Sequence, residues 1–161
     1  MRVGLLSDTH GNLKVARAAL QQMGRIQVFL HAGDYYEDAA KLALMPELAT
    51  SEVHSVVGNC DYRVKGPKEE VFSVEGRRIL LTHGHQYDVK RTFDRLFYRA
   101  REARVDVVVY GHTHVAGYFD EESILFVNPG SPYLPRGREA GSFAVLEITS
   151  KGVLPQILTL N

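Results

Sequence analysis

The sequence has a single cysteine, no long apolar run near its start, and no net charge. The lone cysteine, Cys60, excludes an intrachain disulfide and is typical of a cytoplasmic protein. The longest early apolar run covers residues 3–6 and is interrupted by Gly4, which is too short for a signal peptide or a membrane span. We therefore expect no membrane association.

The charge balance bears on the kind of partner. Lysine plus arginine number 19, and so do aspartate plus glutamate. This balance argues against a protein that binds nucleic acid through bulk positive charge. The 161 residues are 45% hydrophobic, and they show no internal repeat, linker or low-complexity segment. We expect one folded domain over residues 1–161.

Hydrophobic periodicity and turn residues predict alternating strands and helices in the first half of the chain and mainly antiparallel strands in the second. Helices are predicted for residues 13–23, 38–45 and 88–104. Strands are predicted for residues 2–7, 27–31, 52–57, 70–74, 77–82, 105–110, 115–119, 123–127, 142–148 and 153–160. This order favours two packed sheets with helices outside, a layered α/β fold.

Five short polar clusters each follow an apolar strand. They occupy residues 7–12, 31–34, 58–61, 82–85 and 111–114. Polar residues beside glycines at strand ends gather in the crevice at the edge of a sheet. Because the clusters offer carboxylates, imidazoles and an amide but no thiolate pair, they indicate a site for hard or borderline metal ions.

Spacing within the clusters supports the same interpretation. Asp8 and His10 are two residues apart, as are His112 and His114, so each pair can point to one side of a turning segment. A single histidine is more often structural, and i, i+2 histidines also occur by chance. The ordered set of five clusters is what favours a metal centre. His31 and His54 fall within or beside strands, and we expect them to be packing or surface residues.

The ordered motifs Asp-x-His, Gly-Asp, Gly-Asn-x-Asp, Gly-His and Gly-His-x-His resemble those of the calcineurin-like metallophosphoesterases. The Gly58-Asn59-Cys60-Asp61 motif, the short chain and Asn128-Pro129-Gly130-Ser131 are similar to the small bacterial and archaeal phosphodiesterase branch. This resemblance extends from Asp8 to about Leu146. It implies a four-layer αββα fold, of the α+β type, in which two mixed sheets are flanked by helices.

The resemblance also implies a binuclear centre. Asp8, His10 and His114 are expected to hold one metal ion, and Asn59, His83 and His112 the other. Asp34 is expected to bridge the two ions, since each carboxylate oxygen can bind one. Manganese is the first expectation for both ions, with iron, zinc, nickel and cobalt as alternatives. His85 is expected beside the ligands or facing the substrate.

The implied reaction is hydrolysis of a small phosphate ester, most readily a diester, by attack of a metal-bridging hydroxide. Asp34, Asn59, Asp61 and His85 are the residues predicted to take part in catalysis. Many family members have histidine after the Gly-Asn pair, where it helps the leaving group depart, whereas this chain has Cys60. A thiol is a poor general acid near neutral pH, so we hypothesise a preference for good leaving groups such as aryl oxides.

An alternative from another class is a non-catalytic scaffold, because a eukaryotic retromer subunit resembling this branch keeps the fold while its metal site is degraded. Here all seven ligand positions are filled, which favours the enzyme. Assembly as a homodimer or homotetramer is the general expectation for soluble oligomers.

Other polar residues lie outside the proposed ligand set. Arg91, Arg95 and Arg99 share one side of the predicted third helix, and we expect a solvated face there, with a phosphate or subunit contact as the alternative. Tyr35 and Tyr36 are equally compatible with lining a substrate cleft and with covering a loop. For Arg136 and Arg138 the resemblance implies a structural role.

Overall fold

The computed structural model describes residues 1–137 and 140–161. In this part the chain forms ten β-strands in two five-stranded sheets, together with three α-helices. The helices are α1 (Leu13–Met23), α2 (Tyr36–Ala43) and α3 (Asp94–Ala103). The strands are β1 (Arg2–Leu6), β2 (Val28–His31), β3 (Glu52–Ser55), β4 (Glu69–Val74), β5 (Arg77–Thr82), β6 (Val107–Val109), β7 (Gly117–Glu121), β8 (Ile124–Asn128), β9 (Ser142–Thr149) and β10 (Gly152–Thr159).

Both sheets are mixed. The first has the order β10-β9-β1-β2-β3, with β1, β2 and β3 parallel and β9 antiparallel to both its neighbours. The second has the order β4-β5-β6-β8-β7, with β5, β6 and β8 parallel and the outer strands antiparallel to them. The carboxyl ends of β1, β2, β3, β5, β6 and β8 lead directly into polar loops, and this is the edge at which α/β proteins place their sites.

The sheets pack face to face, and the helices cover their outer faces. A core of aliphatic side chains lies between the sheets and includes Val3, Leu30 and Val107, all fully buried. A second apolar cluster joins α1 and α2 to the first sheet, and a third joins α3 to the second sheet. These layers confirm the predicted four-layer αββα fold.

Helix α1 begins and ends where the sequence predicts. The Asn12 side chain accepts a hydrogen bond from the Val15 amide, and Gly24, with φ 69°, ends the helix. Gly4 of β1 lets the helix approach the sheet, because a Cβ atom there would lie 2.7 Å from Met23 Sδ. No helix among the described residues is both long enough and apolar enough to cross a bilayer.

The third helix is shorter than predicted. A 3-10 turn covers His85–Tyr87, Asp88 then adopts the left-handed conformation with φ 57°, and α3 begins only at Asp94. The left-handed residue cannot continue a right-handed helix. The predicted arginine stripe is therefore wrong, since Arg91 lies before the helix and pairs with Asp88 across 3.9 Å.

Arg99 instead ties α3 to the edge of the second sheet. Its guanidinium contacts Glu69 of β4 at 2.6 Å, and Tyr87 donates a hydrogen bond to the same carboxylate. Burial acts to raise the pKa of Glu69, but the hydrogen bonds from Arg99 and Tyr87 outweigh it, so that pKa lies below its ordinary value.

Candidate metal centre

The loops at the carboxyl ends of the strands carry an unusual backbone. Left-handed φ angles occur at five non-glycine residues that were predicted as ligands: Asp8 (55°), His10 (48°), Asp34 (54°), His112 (67°) and His114 (60°). Such conformations are uncommon for non-glycine residues and persist only where surrounding contacts enforce them, which is typical of functional sites. Here they turn the side chains of these five predicted ligands toward the same space.

The first group contains Asp8, His10, Asp34 and His114. One ligand atom from each residue lies within 4.8 Å of the others. His114 Nε2 is 3.1 Å from Asp8 Oδ1 and 3.3 Å from His10 Nε2, and His10 Nε2 is 3.9 Å from Asp34 Oδ2. Four of the seven predicted ligands therefore meet at one point.

The donor atoms of this group fit a cation. The His114 Nδ1–H donates to the Leu134 carbonyl at 2.7 Å, so in the neutral ring Nε2 carries a lone pair. That lone pair faces Asp8 Oδ1, a buried oxygen with no hydrogen bond from any described residue. Two acceptors this close require a proton or a metal ion between them. The close contact with the Asp8 carboxylate raises the pKa of His114, which reflects the same demand for positive charge.

Asp8 is held firmly in this orientation. Its Oδ2 accepts hydrogen bonds from the Ser7 hydroxyl at 2.5 Å and from the His112 amide at 3.1 Å. Burial acts to raise the pKa of Asp8, but hydrogen bonding and positive charge from His114 and His83 prevail and lower it. The carboxylate is ionised, with one oxygen anchored and the other directed into the centre.

The second group contains His83, Asn59 and His112. His83 donates its Nδ1–H to the Ala32 carbonyl at 2.7 Å, leaving Nε2 directed at Asn59 Oδ1, 3.1 Å away. A backbone carbonyl on the far nitrogen is the usual support of a metal-binding histidine. The His112 ring lies 5.0 Å from that of His83. Burial, followed by the neighbouring His83, lowers the pKa of His112 to about 4, so the ring is neutral.

Asp34 lies between the two groups. Its Oδ2 faces His10 at 3.9 Å, whereas its Oδ1 lies 3.4 Å from His83 Nε2 and accepts a hydrogen bond from the Cys60 amide at 2.9 Å. The side chain is 2% exposed. The two oxygens of one carboxylate thus point to different sets of ligand atoms, as a bridging ligand requires.

Glycines permit the close approach of these loops. A Cβ atom at Gly58 would overlap the Asp34 carboxylate, within 2.9 Å of its Cγ and closer still to Oδ1. A Cβ atom at Gly33 would lie 2.8 Å from His83 Nδ1. Both positions therefore require glycine for space, and Gly33 also has a left-handed φ of 93°.

His85 lies beside the second group. Its ring is 5.3 Å from that of His83 and 6.1 Å from that of His112, and its Nδ1 is buried without a hydrogen bond to the described residues. Burial, and then the charge of His83, lowers its pKa. His85 thus lies beside His83 and His112, as predicted, with one buried nitrogen free among the described residues.

Asp61 has a role that the sequence did not reveal. Its Oδ1 accepts hydrogen bonds from the amides of Tyr35 and Tyr36, and its Oδ2 from the amide of Gly58 at 2.8 Å. Both oxygens are therefore used in fixing the Asp34 loop against the Asn59 loop. The catalytic role predicted for Asp61 stays a prediction, while its positioning role is evident.

Cys60 lies at the exposed rim of the centre. Its thiol is 3.6 Å from the Asn59 amide nitrogen. Burial of the thiol, and next its contact with Asp34, raise the pKa of Cys60 to about 11. It remains a neutral thiol near pH 7.

A buried hydrogen-bond chain behind the first group was missed by the sequence analysis. The Gly33 amide donates to His31 Nδ1, which places the proton on Nε2, 3.1 Å from Thr9 Oγ1. Thr9 in turn donates to Asp38 at 2.6 Å, and Asp38 also accepts the Gly11 amide. Burial lowers the pKa of His31 to about 4, consistent with a neutral ring. The chain fixes the residues on both sides of His10.

Residues 128–131 have a supporting role. The Ser131 hydroxyl donates to the Asp8 carbonyl, and the Asn128 amide donates to the Gly111 carbonyl. The Arg136 backbone amide donates to the His114 carbonyl, while the structural role expected of the Arg136 side chain stays a prediction. Arg138 lies outside the described residues. The sequence signal for this role is the position of Asn128 and Ser131, which are polar residues at the end of a strand, as in the five clusters.

His54 is away from the centre, as predicted. It is half-buried on β3, where its ring stacks on Phe72 at 3.9 Å and its two nitrogens contact Glu52 and Glu70 at 2.8 Å.

Comparisons with known proteins agree with this geometry. Residues 1–151 match the model of the calcineurin-like phosphoesterase superfamily domain. The chain is 34% identical over 149 residues to the probable metallophosphoesterase YsnB of Bacillus subtilis, covering 92% of this chain and 85% of that protein. It is 27% identical over 169 residues to the phosphodiesterase YfcE of Escherichia coli K12, covering 91% and 88%.

Solved structures give the same result. A predicted phosphoesterase from Streptococcus pneumoniae superimposes with a TM-score of 0.81 at 29% identity, covering 98% of this chain and 88% of that chain. Vps29 of Entamoeba histolytica, complexed with zinc, superimposes with a TM-score of 0.73 at 26% identity over the full length of both chains. The protein belongs to the calcineurin-like phosphoesterase superfamily.

Proposed function

We propose that the protein is a binuclear metal-dependent phosphoesterase and that its substrates are small phosphodiesters. The observation that carries this proposal is the position of Asp34, whose two oxygens face the two groups of ligand atoms separately. The metal ligands are Asp8, His10 and His114 for one ion and Asn59, His83 and His112 for the other, with Asp34 bridging.

The relatives support this reaction class. YfcE is named a phosphodiesterase and YsnB a probable metallophosphoesterase. Carboxylate, imidazole and amide donors suit manganese, which is our first choice, and they also suit iron, zinc, nickel or cobalt. The structure of Vps29 complexed with zinc supports zinc as one of these alternatives.

When bound, the two ions would supply an activated water molecule and positive charge for the phosphate oxygens. The protein supplies geometry. Asp8 and Asp34 are fixed by hydrogen bonds from Ser7 and from the Cys60 amide, so neither carboxylate must reorganise during the reaction. His83 and His114 are oriented by backbone carbonyls, which keeps their Nε2 lone pairs directed inward.

His85 and Asn59 face the substrate side of the second group in this proposal. His85 has a lowered pKa and one buried nitrogen without a partner among the described residues, so as a neutral ring it can donate one hydrogen bond to a phosphate oxygen. Asn59 presents its Oδ1 to His83 and its amide nitrogen toward Cys60. Both residues can therefore orient the phosphate without changing protonation.

A non-catalytic scaffold is the alternative. A degraded centre is expected of a scaffold, whereas here all seven ligand positions carry metal-binding side chains and four of them meet within 4.8 Å. The strained left-handed conformations at five of the seven would be costly to retain in a protein that binds no metal. These features support a catalytic function over a scaffold role.

A pair of histidine variants tests the proposal. We expect His83→Ala to lose most manganese-dependent hydrolysis of bis(p-nitrophenyl) phosphate, because it removes a ligand beside Asp34. His54→Ala, a histidine far from the centre, should retain the wild-type rate. Equal rates for both variants and the wild type would contradict the proposal, provided that circular dichroism shows both to be folded.

A further inference from the structure

A small pocket adjoins the metal centre on the side of Asp34 and Asn59. Its volume is about 240 Å³, and its walls carry Tyr35 and Cys60, each the residue after a metal ligand, together with Tyr62 and Arg63. We propose that this pocket binds one planar aromatic ester group of the substrate, between the rings of Tyr35 and Tyr62. This inference rests on the proposed function, since it requires the phosphate to lie on the metal ions.

The Tyr35 ring is held in position to form the inner wall. Tyr35 has a left-handed φ of 70°, and its ring meets the His10 ring edge-on with centroids 5.5 Å apart. Gly11 leaves room for it, because a Cβ atom there would lie 3.1 Å from Tyr35 Cε1. The ring nevertheless remains 44% exposed. It is a rigid aromatic surface, next to a metal ligand, that the protein does not cover.

Tyr36 differs from its neighbour. It packs on Gly66, where a Cβ atom would come within 3.0 Å of its ring. Both tyrosines could have lined a substrate cleft or covered a loop. In the structure Tyr35 lines the cleft, whereas Tyr36 covers the loop at Gly66.

Asp61 fixes the two walls relative to each other. Its carboxylate accepts hydrogen bonds from the amides of Tyr35 and Gly58, at 3.0 and 2.8 Å, and its carbonyl accepts the amide of Val64 at 2.9 Å. The side chain is 7% exposed, so these bonds are shielded from water. The inner wall is thus built into the loops that carry Asp34 and Asn59, and a ligand would need to order only the Tyr62 side chain.

Tyr62 forms the outer wall. It is 84% exposed, which leaves a large ring almost without contact in the free protein. A flat group inserted against Tyr35 would bury one face of each tyrosine ring. Offset or edge-on aromatic contacts add to the gain from removing apolar surface from water.

The polar residues of the pocket restrict its ligand further. The lining carries two carboxylates, Glu37 and Asp61, and one guanidinium, Arg63. Both Asp61 oxygens are taken up by backbone amides, so the pocket offers a second anion little and suits a neutral group. The volume is below the usual range of about 300–1,000 Å³ for pockets that enclose drug-sized ligands. One aromatic ring or ring pair suits it, whereas a long chain or a second phosphate does not.

Two phosphonates that cannot be hydrolysed test this inference. Phenylphosphonate and methylphosphonate present a similar phosphonate group to the metal ions and differ mainly in the group directed into the pocket. Titration calorimetry of the manganese-loaded protein should give a dissociation constant for phenylphosphonate roughly tenfold below that for methylphosphonate, the size expected for one stacked ring.

Variants then locate the ring. Tyr62→Ala should reduce the phenyl preference to about threefold, since one of the two stacking faces is lost. Tyr35→Ala should reduce it at least as far. Tyr118→Ala is the matched control, because Tyr118 is 53% exposed on β7 and does not line the pocket. It should keep the full preference.

The possible outcomes separate this inference from the proposed function. Equal binding of both phosphonates to the wild type overturns the pocket alone, because the anion still binds the metal ions. An equal loss of preference in Tyr62→Ala and Tyr118→Ala also overturns it, since the ring would then lie elsewhere. If neither phosphonate binds to protein shown to contain manganese, both the pocket and the proposed function are overturned.

Discussion

Gly58 offers a sharp test of how the centre is built, because its substitution by alanine adds only one methyl group. That methyl group would overlap Asp34, within 2.9 Å of Cγ and closer to Oδ1 and the backbone nitrogen. Ordinary van der Waals contacts of a Cβ atom begin near 3.4 Å. Since Asp34 is buried and hydrogen-bonded to Cys60, it cannot rotate away without losing its position between the two ligand groups.

The expected cost has two parts. Overpacking a buried site by one methyl group destabilises a protein by about 1–3 kcal/mol. Displacing a group that orients metal ligands weakens metal binding by roughly 10–100-fold. We therefore expect Gly58→Ala to lower the unfolding free energy by about 2 kcal/mol and to weaken manganese binding by at least about tenfold, as measured by urea denaturation of the metal-free protein and by calorimetric titration.

Gly117→Ala is the matched control. Gly117 begins β7, and a Cβ atom there would meet nothing within 4 Å, so neither stability nor metal affinity should change much. The reasoning is refuted if Gly58→Ala binds manganese as tightly as Gly117→Ala and the wild type. Loss of stability without loss of metal affinity would show that the loop yields while Asp34 stays in place.

Two further predictions concern the leaving group and the edge of the second sheet. Family resemblance places a proton donor for the leaving group at position 60, where this chain has a cysteine. We therefore expect log kcat for a series of aryl phosphodiesters to fall as the pKa of the leaving phenol rises. If the chemical step limits the rate, a flat plot would exclude this dependence on the leaving group. Glu69→Gln removes the ion pair with Arg99, in which both side chains are about a quarter exposed, and should lower the unfolding free energy by about 1 kcal/mol at pH 7. Folding lowers the pKa of Glu69, so its ion pair stabilises the folded protein at pH values above 4.5, the pKa of this residue in the unfolded chain. This stabilisation is lost as the pH falls through the pKa of Glu69 in the folded protein. Melting temperatures of the two proteins should therefore converge in acid, and a constant difference down to pH 3 would contradict the assignment.

Much of the fold follows from local sequence signals. The apolar period of residues 13–23, with Gly24 after it, predicts α1 with its observed ends, and the structure adds the Asn12 cap at its start. The Glu75-Gly76 turn predicts the β4–β5 hairpin, and both residues have positive φ angles, 48° and 76°, as a tight hairpin turn requires. Which strands would become parallel neighbours, such as β6 and β8, depends on packing between the sheets and has no local signal.

The start of α3 shows how tertiary contacts override helical periodicity. Residues 88–93 carry an apolar pattern compatible with a helix, yet Asp88 turns left-handed and Val89 packs against Gly84, where a Cβ atom would lie 3.0 Å away. The Gly84 turn directs His83 and His85 toward the centre. The requirements of the site thus decide the local backbone.

The residue types of the centre are evident from sequence, whereas the interactions that hold them are not. Strand-end placement predicts that the polar clusters gather at one edge of the sheets. The family resemblance supplies the assignment of Asp8, His10, Asp34 and His114 to one group, and these four residues do converge. The buried chain through His31, and the use of both Asp61 oxygens by backbone amides, depend on loops that meet only in the folded chain. The contacts of Thr9 with His31 and of Tyr35 with Asp61 join residues more than 20 positions apart and leave no periodic pattern.

Removal and return of metal tests the central claim most directly. The protein would be stripped with a chelator, dialysed, and titrated with manganese while bound metal and hydrolysis of bis(p-nitrophenyl) phosphate are followed together. We predict no turnover by the stripped protein and full recovery at two manganese ions per chain. Undiminished turnover by protein shown to be free of metal would contradict the account.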